Sequence, residues 1–166
     1  DRSDYRIFPR LNKDDKINLP VLALHQGTFD TINKKQNNKE YDHAIGVSSS
    51  VSYKNGFFSK EKIHIPQIDF TCDVSDSSLL EVVGFSKYYA GLKEGHVVNS
   101  GGSYHVYGNN TINIFEWDKF MNKLSVDPYK MVNPDWVKAQ IKRKFSMLRV
   151  TASKGKPKPV VVAYFN

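Results

Sequence analysis

The chain has 166 residues, 40% hydrophobic and 13% aromatic, which is enough apolar material for a packed core and too much for a disordered tail. Its 24 lysines and arginines against 17 acids give a net charge of +7, and its single cysteine, Cys72, excludes both an internal disulfide framework and a cysteine-built zinc cage. Apolar runs such as Val160 to Tyr164 fall far short of the roughly 20 residues of a membrane-spanning helix, and no signal-peptide pattern opens the sequence, so the expectation is a cytoplasmic protein with no membrane partner.

The predicted elements alternate between short strands and isolated helices. Leu19 to Leu24 reads as a strand, and the polar run at 33–40 (NKKQNNKE) reads as an exposed loop. Ala44 to Tyr53 alternates and ends at Lys54-Asn55-Gly56, a hairpin signal. Lys62 to Val74 alternates as well, with a break at Pro66. Ser78 and Glu81 have capping-box spacing, and Gly95 is a natural stop, which predicts a helix over 79–93. Asn113 and Glu116 cap a second helix whose core residues are Phe115, Trp117, Phe120, Met121 and Leu124. Asn133-Pro134 caps a third, through Trp136, Val137, Ile141 and Phe145. Short strands are expected at 97–100, 103–107, 148–152 and 160–165. One domain over 1–166, of the α+β class, is the architecture this order predicts: a mixed or antiparallel sheet flanked by about three helices.

The charge is uneven. From Trp136 onward there are eight basic residues (Lys138, Lys142, Arg143, Lys144, Arg149, Lys154, Lys156 and Lys158) and no acid, while the preceding 135 residues hold 16 basic against 17 acidic. A near-neutral body with a basic final fifth points to a polyanion, a nucleic acid or a phosphorylated ligand; a solubilising surface gives the same pattern.

The segment Val97 to Gly108, VVNSGGSYHVYG, is the richest in chemistry. A strand enters a Ser-Gly-Gly turn, and Ser103 and His105 leave it two residues apart, on one face. Glycines let a ligand approach the backbone, and turn amides bind anions. Hydroxyl and imidazole together suit a phosphate-bearing ligand. A plain hairpin with a surface histidine is the alternative reading of that pattern alone. His25, His43, His64 and His96 show no metal-ligand spacing and read as structural or exposed. Cys72 reads as a small hydrophobe. Trp117 and Trp136 read as core, whereas Tyr104 and Tyr107 flank the segment and read as base-stacking candidates. A Ser-His-Asp hydrolase from Ser103, His105 and Asp69 is disfavoured, since two residues on one strand face do not face each other and no nucleophile elbow is present.

The order of these segments resembles the archaeo-eukaryotic primase and primase-polymerase superfamily. The resemblance runs from about Lys62 to Pro159. It rests on SGGSYHVYG followed by MLRVTASKGKPKP, with a strand ending in Ile68-Asp69-Phe70-Thr71 upstream. It implies metal-dependent nucleotidyl transfer, in which Mg or Mn held by acids activates a hydroxyl and neutralises pyrophosphate. It also implies that Ser103 and His105 grip the phosphates of a nucleoside triphosphate, that Asp69 is the catalytic metal ligand, and that Arg149 is a further phosphate contact. Two positions depart from the pattern. Thr71 stands where the second acid belongs and Asn133 where the third does, and their neutral oxygens bind magnesium poorly. Asp73 and Asp127 are the candidate replacements, although four residues of strand carry Asp73 about 13 Å from Asp69. The metal site therefore reads as incomplete.

Three functions stay open. The first is a primase-polymerase-like domain that binds nucleotide and single-stranded or primed nucleic acid, with Lys142, Arg143, Lys144, Lys154, Lys156 and Lys158 on the template phosphates, and with room for a helicase or other replication domain as a partner in a longer chain. The second is a non-catalytic nucleic-acid-binding module of a replication or mobile-element protein. The third is a basic, metal-independent ribonuclease or toxin-like domain.

Overall fold

The computed structural model describes residues 46–55, 59–153 and 155–166. The strand expected at 19–24, the loop at 33–40, His25, His43 and Lys154 lie outside them.

Pairing follows the alternating segments. Strands β1 (Gly46–Ser48) and β2 (Ser50–Asn55) share the alternating stretch near residue 50 but serve two sheets. β1 pairs with β8 (Met147–Arg149). β2 pairs with β3 (Ser59–His64), and β3 with the two residues of β7 (Ile112–Asn113). The expected strand over 62–74 is split by Pro66, since proline cannot donate to a ladder. Its second half, β4 (Gln67–Asp69), opens a four-stranded sheet with β5 (Gly95–Asn99), β6 (Tyr104–Gly108) and β9 (Val160–Phe165), in the order β4-β6-β5-β9. All the paired strands are antiparallel.

The three described helices start where the caps predict, with one shift. Helix α1 (Asp76–Gly84) is capped by Ser75, whose hydroxyl accepts the Ser78 N–H, so it begins a turn earlier than the Ser78/Glu81 pattern predicts. It runs into a π-helical turn, Phe85–Tyr89, and ends before Gly91, whose φ is +79°. Helix α2 (Ile114–Ser125) carries the full Asn113/Glu116 capping box, both bonds at 2.9 Å. Helix α3 (Pro134–Arg143) has Asn133 as its cap and proline at its first position.

The main core lies between one face of the four-stranded sheet and the helices. Ile68, Phe70, Val97 and Val106 from the sheet meet Val82, Trp117, Phe120, Met121 and Val137. Trp117 is wholly buried, while Phe115 is 75% exposed. It lies 200° around the helix from Trp117 and so off the apolar stripe. Cys72 packs against this core as expected of a small hydrophobe. His96 is structural, its Nδ1 2.9 Å from Asn109 Oδ1.

Where the sheets meet, polar groups are buried together. Ser49, between β1 and β2, donates its N–H to Ser146 O and accepts the Ser146 N–H on its hydroxyl. The same hydroxyl lies 3.3 Å from His64 Nδ1, and the His64 ring stacks on Trp117 at 5.0 Å. Burial, with the Lys62 charge adding to it and Asp118 opposing, pulls His64 from 6.5 down to about 4. The unfolded chain therefore takes up this proton at a pH where the folded chain does not. Stability should be full above pH 6.5 and fall as pH drops toward 4, by up to about 1.4 kcal/mol per pH unit from this residue. Urea midpoints between pH 7 and pH 5 measure the slope. His64→Gln should flatten it, and an equal slope in that variant would assign it to other groups.

Candidate nucleotide-binding cleft

The side of the four-stranded sheet opposite the main core carries the functional side chains. In β4 and β6 the pairs Ile68↔Val106 and Asp69↔His105 are directly opposite. Alternation turns the first pair into the core and the second to the other face. His105 Nε2 lies 3.3 Å from Asp69 Oδ1. His105 is 7% exposed, and among the described residues its Nδ1 has no hydrogen-bond partner. Tyr107 follows on the same face. Burial pushes its phenol far above the ordinary value, and the nearby Asp69 charge adds to that, so it stays neutral.

The outer edge of β4 is covered by the segment before α3. Phe70 bridges Val132, Thr71 N–H donates to Met131 O, and Asn133 N–H donates to Asp69 O at 2.9 Å. Asn133 is thereby set beside Asp69. Its Oδ1 accepts the Trp136 N–H at 3.1 Å as the helix cap, which leaves Nδ2 to donate to Asp69 Oδ2 at 3.3 Å.

The opposite rim is built by the Ser100–Ser103 turn and the residues after β8. Ser103 Oγ donates to Phe70 O, tying the turn to β4. Gly101 has φ +103°, and a Cβ there would lie 2.5 Å from Pro157 Cδ, so both conformation and packing demand glycine. Arg149 donates to three backbone carbonyls: Nη2 to Ser100 O, and Nη1 to Thr151 O and to Pro157 O, the last at 2.8 Å. Burial lowers the Arg149 pKa and Tyr107 works against that; a guanidinium stays charged at neutral pH. Beyond it, Ser153 and Lys156 pair through their backbones.

These pieces enclose an open cleft of about 610 Å³. Asp69, Ser103, His105 and Arg149 all line it, as does Lys156. Trp136 lines it too. It is half-buried, with Nε1 donating to Met147 O at 3.0 Å, and it packs against the core, as its helical spacing assigns, while also forming part of the cleft wall. The other expected site residues lie elsewhere. Tyr104 and Tyr107 are each 3% exposed and have no face for a base. Asp73 is exposed and does not line the cleft. Asp127 turns both oxygens to the backbone, accepting from Tyr129, Met131 and Val132 at 2.7–3.0 Å; the Asp-Pro-Tyr run is a turn signal that accounts for it. Lys142, Arg143 and Lys144 are exposed at the far end of α3, about 15 Å of helix from Asn133. Lys144 is 3.6 Å from Asp118.

An acidic primase site implies two-dication chemistry, which needs a cluster of anionic donors. Among the described residues no cluster of three histidines, cysteines or acids forms a metal cage. Among the described residues Asp69 is the one carboxylate lining the cleft, and both of its oxygens face side-chain nitrogens, His105 Nε2 and Asn133 Nδ2. Asn133 offers it an amide nitrogen, not an oxygen. Thr71 directs its hydroxyl to Lys130 O and Met131 O at 3.2 Å each. This arrangement does not fit a pair of magnesium ions, which demand several anionic oxygens.

The antiparallel sheets and three helices give the α+β class that the sequence predicts. A family profile described as AEP-like, archaeo-eukaryotic primase 1D-like, matches residues 24–162. The chain belongs to this archaeo-eukaryotic primase-like family. No curated protein and no solved structure matches the chain significantly.

Proposed function

We propose that this primase-like domain binds the phosphates of a nucleoside triphosphate in the cleft and nucleic acid on the basic far end of α3. The observation that supports it most directly is the convergence of Ser103 and His105 from one stretch of chain with Arg149 and Lys156 from another on one cleft. Polar and cationic donors around a glycine turn are the chemistry that recognises phosphate. The half-buried Trp136 ring at the wall offers an apolar surface beside them. The incomplete acid set favours binding over primer synthesis.

Titration of a labelled nucleoside triphosphate tests the reading. His105→Ala should weaken binding at least tenfold, and His105→Asn, which keeps a donor to Asp69, should recover part of it. Equal affinity in parent and His105→Ala would remove the histidine from the site. The nucleic-acid surface is tested separately. Lys142→Ala with Arg143→Ala should lower the slope of log affinity against log salt by roughly 1.5 for single strands. An unchanged slope would place the nucleic acid elsewhere.

A further inference from the structure

The carboxylate that the family pattern assigns to metal has other partners in this chain. Asp69 Oδ1 faces His105 Nε2 and Oδ2 faces Asn133 Nδ2, each at 3.3 Å. The Asn133 amide cannot turn its oxygen to a cation without giving up the α3 cap, because Oδ1 holds the Trp136 N–H. Asp127, a candidate replacement by sequence, is held by three backbone amides. Against this single carboxylate stand the Arg149 guanidinium and the Lys156 ammonium, both lining the same cleft. His105 adds a buried Nδ1 that has no hydrogen-bond partner among the described residues, and a buried polar atom left unpaired is costly.

We propose that the cleft takes a triphosphate-bearing ligand without a divalent cation, with Arg149 and Lys156 supplying the positive charge and Asp69 orienting His105. This inference rests on the nucleotide-binding reading above. Asp69 is then a positioning residue and not a metal ligand. Asn133 contributes most to the loss of metal-binding capacity, because an amide nitrogen stands where a carboxylate oxygen would face Asp69. Thr71 contributes less to that loss, since a carboxylate at position 71 would be driven against the carbonyls of Lys130 and Met131 that its hydroxyl now faces.

Binding of a labelled nucleoside triphosphate to the full chain should give the same Kd within twofold in Mn²⁺ and in EDTA. Asp69→Asn, which keeps an oxygen beside His105 Nε2, should tighten that affinity, because a negative charge leaves an anion site, while the ¹⁵N signals of the His105 ring shift as it loses its charged partner. Asn133→Asp, which keeps the cap, should create a Mn²⁺ site that free-Mn²⁺ electron spin resonance detects without nucleotide and that the parent lacks. Triphosphate binding that requires Mn²⁺, or a tenfold loss in Asp69→Asn, would overturn the metal-free site while sustaining nucleotide recognition. No triphosphate binding in either buffer would overturn both.

Discussion

Trp117→Ala should cost the fold about 3–5 kcal/mol, the range for deleting a large aromatic from a core. The residue is wholly buried and centred among the helix and sheet residues of the main core. It also covers His64, whose ring stacks on it at 5.0 Å. Losing the indole therefore opens a cavity and uncovers a buried imidazole at the junction of β1, β2 and β3. A domain with a total stability of about 5–15 kcal/mol tolerates that poorly, so Trp117→Phe, which keeps a ring against His64, is the variant certain to yield a measurable curve. It should fall well short of the alanine cost. Denaturant unfolding followed by circular dichroism measures both. A loss below about 1 kcal/mol in Trp117→Ala would mean that α2 is not anchored through this residue.

The same residue shows what the sequence makes visible. Trp117, Phe120, Met121 and Leu124 recur at helical spacing behind a capping box, and all four are buried in α2. Local chemistry fixes both the start of the helix and its inward face. Asn133-Pro134 is legible for the same reason. Alternation fails where a strand is covered on both sides. Every residue of β6 is buried, so the pattern cannot tell Tyr104, in the main core, from Tyr107, on the cleft side, and neither is the exposed ring that their flanking position suggests.

The cleft was legible in part. Ser103 and His105 stand out by their spacing beside a glycine turn, and Asp69 by its place on the preceding strand. Asn133 is visible in sequence as a helix cap. Its second bond, to Asp69, depends on the pairing of residues 130–133 with the edge of β4, a contact between positions 64 apart. Asp127 illustrates the converse: an acid in a hydrophobic-Asp context reads as a metal ligand until its three backbone amides are seen. The basic final fifth looks like one surface in composition, yet the fold divides it. Arg149 and Lys156 reach the cleft, and Lys142 to Lys144 sit at the far end of α3.

Arg149→Ala should abolish most triphosphate binding, by tenfold or more, and Arg149→Lys should fail to restore it. The guanidinium does more than supply charge. It joins the Ser100–Ser103 turn to the segment that carries Lys156 by donating to carbonyls on both, Ser100 on one side and Thr151 and Pro157 on the other. Pro157 in turn packs where any side chain on Gly101 would stand. Hydrogen bonds from a charged donor are worth about 1.5–3 kcal/mol each when desolvated, and partial exposure of Arg149 reduces that. Lysine presents one point charge on a flexible stem and cannot fork across three carbonyls. Both variants should therefore free the backbone of residues 150–158, and Lys156 with it. Amide hydrogen exchange over that segment, alongside triphosphate titration, separates the two roles. If Arg149→Lys binds and protects the segment like the parent, charge alone is at work. If exchange rises and affinity falls together in both variants, the cleft depends on the crosslink, and Lys156 is a ligand group only while Arg149 holds its loop in place.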